Sequence, residues 1–81
     1  MKATYNMLGS AQIDENKNLV ISECKKNDEV VGLTLAQQLV VNEGKKSIGV
    51  FLKNTIHIPT VNGLYELRDA INTVIDKIEN E

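Results

Sequence analysis

Two hydrophobic rhythms divide this chain. From Ala3 to Ile58 the apolar residues come in short or alternating runs, separated by polar clusters at 14–18, 25–29 and 42–45. After Gly63 they fall at Leu64, Leu67, Ile71, Val74 and Ile78, a 3-4-3-4 spacing that draws one stripe along a helix. Val61, Ala70 and Ile75 widen that stripe, which suits a sheet surface better than a narrow coiled-coil seam.

The first rhythm reads as strands. Ala3 to Ile13 is a strand with a bulge or bend at Gly9. Leu19 to Cys24 is rich in β-branched residues and pairs back after the polar turn. Val30 to Val41 admits two readings. As a helix, Thr34 caps it and Gln37 completes a capping box, with Leu35, Ala36, Leu39 and Val40 inward. As a strand, Leu33, Leu35, Leu39 and Val41 share a face. The hairpin is favoured, because Asn42-Glu43-Gly44-Lys45 has the form of a type I turn followed by a left-handed glycine. The cleanly alternating run 47–53 follows it directly. Asn54 breaks that strand, Ile56 to Ile58 makes a short fifth, and Pro59 stops it before an Asn62-Gly63 hinge. The expectation is a single α+β domain over 1–81. It is an antiparallel β-meander of four to five strands, with one C-terminal amphipathic helix packed on one face.

Composition then narrows the function classes. A chain of 81 residues hides only roughly 60–65% of the surface its unfolded form exposes, so help from a second copy is expected. Apolar residues on both faces of 19–24 and 30–41 point the same way, to a homodimer. No apolar run is long enough to span a membrane, and Met1 to Tyr5 shows no secretory signal. Cys24 is the only cysteine, so it staples nothing and suits a reducing cytoplasm. A compact chain of this kind suits a bacterium or a phage. The net charge of −2 speaks against a strong non-specific nucleic-acid binder.

No catalytic residue, cofactor site or metal site emerges. His57 is flanked by Ile56 and Ile58 and faces away from them, with no nucleophile or carboxylate placed beside it by spacing. It reads as structural or as a surface residue, and Cys24 as inert despite Lys25 and Lys26. Gly44-Lys45-Lys46-Ser47 lacks the earlier glycine and the following helix of a phosphate loop. The carboxylates Asp14, Glu15, Asp28, Glu29 and Glu43 sit in turns without a calcium-loop pattern. One constellation stands out. In 47–53 the aliphatic Ile48, Val50 and Leu52 share one face, and Gly49, Phe51 and Lys53 share the other. Phe51 beside Lys53, with Gln38 nearby, is able to stack on and neutralise a nucleotide strand. Equally, Phe51 suits a dimer interface or the interior. Lys25, Lys26, Lys45 and Lys46 form a basic rim if both hairpin ends lie on one side of the sheet.

The run Thr55-Ile56-His57-Ile58-Pro59, followed by Gly63-Leu64-Tyr65-Glu66-Leu67-Arg68-Asp69-Ala70-Ile71, resembles the end of a PUR repeat of the Pur-alpha family. The order of sheet then helix is similar to the single-strand-binding transcriptional coactivators and the plant Whirly proteins. The resemblance implies antiparallel strands over a C-terminal helix, pairing of two units, and single-stranded DNA or RNA bound on the sheet. The matched residues are mainly packing positions, so no binding residue carries over. Two expectations for function result. One is a non-enzymatic protein-interaction module, small regulator or assembly subunit; the other is a single-stranded nucleic-acid binder.

Overall fold

The computed structural model describes residues 3–80. Met1 and Lys2, part of the stretch read for a targeting signal, and Glu81 lie outside them. The elements run β1 (Ala3–Asp14), β2 (Lys17–Lys26), β3 (Glu29–Glu43), β4 (Lys46–Phe51), β5 (Ile56–Ile58) and α1 (Val61–Glu79). All strand pairs are antiparallel, in the order β1-β2-β3-β4, with β5 also on β3. This is the expected α+β meander with one C-terminal helix. The ambiguous segment is strand throughout, because its neighbours on both sides supply ladder partners that a helix would leave unmet.

Local chemistry sets the turns. Lys26 pairs with Glu29, and the two residues between them, Asn27 and Asp28, both have positive φ, 53° and 65°. That is the type I′ pattern, which follows the twist of the strands, and Asn and Asp tolerate it best after glycine. Glu43 pairs with Lys46, so the β3–β4 loop is the two residues Gly44 and Lys45, with Gly44 at φ 60°. Glycine therefore holds the first loop position, as in a II′ turn, rather than following a type I turn.

The edge strand β1 carries two irregularities. Register shifts at Met7/Gly9 and Gln12/Asp14 leave Leu8 and Ile13 as extra residues. The first is the irregularity that Gly9 signals. Such bulges disrupt an edge that would otherwise template another strand.

β4 and β5 occupy one edge position, interrupted. Phe51 pairs with Gln38 and Ile56 with Leu35, so residues 52–55 span what only Ala36 and Gln37 take up on β3. The Leu52 amide still donates to the Gln37 carbonyl at 3.0 Å. The chain thus leaves the ladder at Lys53-Asn54-Thr55, and β4 ends at Phe51, two residues short of the end of the alternating run 47–53.

Register and alternation sort the side chains onto two faces. An aliphatic face carries Leu19, Ile21, Leu33, Leu35, Leu39, Val41, Ile48, Val50, Ile56 and Ile58. A mixed face carries Tyr5, Met7, Val20, Ser22, Cys24, Thr34, Ala36, Gln38, Phe51 and His57. The buried side chains are Val20, Cys24 and Thr34 on the mixed face, and Leu35 and Ile58 on the aliphatic one.

The helix corrects one expectation. Its first turn sits against β5: a Cβ on Gly63 would come within 2.6 Å of Ile58 Cγ2, so glycine permits the approach. Asn62 and Gly63 are therefore part of the helix, not a hinge before it. Beyond that turn the stripe is uncovered. Leu64 is half-buried, and exposure climbs through Leu67 (37%), Ile71 (49%) and Val74 (53%) to Ile78 (67%). The helix is not laid across the sheet. Only two residues, Pro59 and Thr60, link it to β5, with Thr60 extended at φ −136° and ψ 164°. The fixed φ of Pro59 and the extended Thr60 set the direction in which the helix leaves β5.

The chain is correspondingly open. Its Cα radius of gyration is 15.2 Å, against about 12 Å for a compact domain of this length. Its accessible surface is 6722 Å², about 1,900 Å² more than folded monomers of this mass present.

Candidate binding groove on the mixed face

The mixed face curls into a groove of about 440 Å³ lined by Tyr5, Ser22, Thr34, Ala36, Phe51, Leu52, Lys53 and Thr55. Every strand but β5 contributes a residue. Tyr5 enters from β1 opposite Cys24, and Ser22 faces Thr34 across the central pair. The extra residues in 52–55 carry Lys53 and Thr55 over the groove, so the strand break builds one wall of it.

Phe51 lies where alternation places it, opposite Gln38 and 53% exposed. Gly49 leaves room that Gln38 fills: a Cβ on Gly49 would meet Gln38 Nε2 at 2.5 Å. On its other side Gln38 Oε1 accepts a hydrogen bond from Asn18 Nδ2 at 3.3 Å. Gln38 is thus held flat as a brace beside Phe51, which removes it as a free recognition group.

The lysines are dispersed. Turn 27–28 and turn 44–45 lie at opposite ends of β3, a strand of 15 residues that spans roughly 46 Å. Lys25 and Lys26 therefore stand at one end of the sheet, and Lys45 and Lys46 at the other. The basic rim does not form. Lys25 lies 3.6 Å from Glu23, and Lys46 on the aliphatic side pairs in register with Glu43. Of the six candidate residues, only Phe51 and Lys53 share the groove.

Tyr5, Ser22, Thr34, Ala36, Leu52 and Thr55 are the groove residues that sequence reasoning missed; alternation puts Leu52 on the aliphatic face, but the chain leaves the ladder after it and Leu52 lines the groove. Their signal is weak, because Tyr5, Ser22, Thr34 and Ala36 join the site only through strand register, and Leu52 and Thr55 only through the break after β4. His57 is a register neighbour of Thr34, but its ring lies over Gly32, where a Cβ would come within 2.7 Å of Cε1. Gly32 sits at φ 143°, a conformation open essentially to glycine alone. The imidazole is therefore packed on backbone rather than set to activate a hydroxyl. Among the described residues no group of three or more His, Cys, Asp or Glu could hold a metal ion, and no helix is long and apolar enough to cross a membrane. The groove offers two rings, one ammonium and several hydroxyls, a set that suits a flat ligand carrying negative charge. Comparison with protein-family models, with curated proteins and with solved structures returned no match to this chain.

Proposed function

We propose that this chain is a small non-enzymatic binding protein that works as a homodimer, in a protein-interaction or assembly role. One observation carries the reading: the helix stripe beyond Leu64 and the outer part of the aliphatic face, at Val41, Ile48, Val50 and Ile56, both lie exposed in one chain. An isolated molecule presenting both would lose free energy to every apolar contact it failed to make, at about 25 cal/mol per Å². Light scattering coupled to size exclusion tests it. A mass of twice 9.0 kDa at micromolar concentration is expected, and monomer alone at that concentration ends the proposal.

A second reading has its own observation. Tyr5, Phe51 and Lys53 meet in one groove, which supports single-stranded nucleic acid as the ligand, held by stacking with little backbone neutralisation. With one lysine in the groove, affinity would vary weakly with salt, with a slope of about −0.7 per phosphate contact. Titration of a labelled oligonucleotide in low salt checks this. No binding at tens of micromolar retires it.

A further inference from the structure

The uncovered helix and the uncovered face identify each other's partner. We infer that two copies exchange helices, each α1 lying across the aliphatic face of the other copy's sheet. This rests on the homodimer reading and specifies its geometry.

Size supports the match. The free stripe from Leu67 to Ile78 is about 17 Å long at 1.5 Å per residue. Four strands at about 4.8 Å spacing span about 14 Å between the outer two, so the stripe reaches from one edge of a sheet to the other. The area agrees. The surplus of about 1,900 Å² per chain exceeds the ~800 Å² per partner of a standard interface and falls in the range of obligate homodimers. Exchange about a two-fold axis covers both surfaces of both chains, and it closes without leaving a free end.

The other arrangements leave surface bare. Helix-to-helix pairing would cover the stripe and leave Val41, Ile48 and Val50, all exposed now, without a partner. Edge pairing through β1 would meet the irregularities at Leu8 and Ile13 and cover neither apolar surface. The chain's own sheet meets the helix only at its first turn, where Gly63 seats on Ile58, and leaves Leu67, Ile71, Val74 and Ile78 exposed.

Site-directed crosslinking distinguishes these. Two Cys24→Ala chains carrying tags of different mass are prepared, one with Ile71→Cys and one with Val50→Cys. They are unfolded together, refolded, and treated with a short bismaleimide. Circular dichroism checks the folding of each, and Val74→Cys with Ile48→Cys provides a second pair. The exchange predicts that the main crosslinked product joins the two different tags, and that adding Ile71→Asp abolishes the dimer at micromolar concentration. A dimer by light scattering whose Ile71→Cys chains crosslink only to each other overturns the exchange and leaves the homodimer standing. A monomer whose Ile71→Cys/Val50→Cys double variant crosslinks within one chain overturns both.

Discussion

The β2–β3 pair and α1 obey their local rules equally well and end in opposite environments. β2 and β3 are flanked by ladder partners on both sides for much of their length, and together they hold Val20, Cys24, Thr34 and Leu35, four of the five buried side chains in the described residues. α1 has a continuous apolar stripe, a closing hydrogen bond from the Asn80 amide to the Asp76 carbonyl at 3.0 Å, and no buried residue. Regular secondary structure therefore does not report tertiary burial. The strands acquire neighbours from their own chain because two-residue turns return them to each other. The helix has only one short connection, and it fixes a direction rather than a partner.

This contrast can be broken most severely at Val20, which is fully buried. Val20→Asp would place a carboxylate where no cation pairs with it, a cost of several kcal/mol. That is comparable with the roughly 4–12 kcal/mol that holds a domain of this size together. Loss of the folded state is expected, read by circular dichroism. A cooperative native-like transition in the variant would show that the sheet centre is less enclosed than its geometry implies.

Gly32→Ala tests the same region more gently. Its φ of 143° and the approach to His57 Cε1 and to the Ile58 carbonyl oxygen at 3.0 Å both oppose a side chain. A destabilisation of about 3 kcal/mol is expected in urea unfolding. Removing the ring with His57→Ala should recover only part of it, since the backbone conformation and the carbonyl remain. Full recovery would assign the whole effect to the imidazole.

Gly63→Ala sharpens the helix side. Alanine favours a helix over glycine by about 1 kcal/mol, but here its Cβ would strike Ile58 Cγ2. A net loss of about 1 kcal/mol is expected in the native background. In an Ile58→Ala background the same substitution should become stabilising, a coupling of about 1–2 kcal/mol in a double-mutant cycle. Additive effects would mean that the first turn is not seated on β5.

Much of the fold was readable from residue pattern because strands and turns are short-range matters. The bend near Gly9, the β3–β4 hairpin and the faces assigned to Ile48, Val50 and Phe51 follow from alternation and turn chemistry within a few residues; Leu52 and Lys53, past the end of β4, do not alternate. The groove was half readable. Phe51 ends β4 and Lys53 follows just beyond it, whereas Thr34 joins them through the β3–β4 pairing, Ser22 through β2–β3, and Tyr5 through β1–β2. The lysines were misplaced for a related reason. Consecutive hairpin turns fall at opposite ends of a meander, which separates Lys25 and Lys26 from Lys45 and Lys46 however similar their surroundings in sequence.

By itself, the amino-acid sequence determined which segments are extended, where they turn, and that the tail is a one-sided helix, because backbone conformation answers to near neighbours. Only the tertiary structure decided what that helix touches. Its direction depends on Pro59, Thr60 and the seat of Gly63 on Ile58, contacts that hydrophobic periodicity does not encode. The same periodicity serves a helix resting on its own sheet and one left open for another.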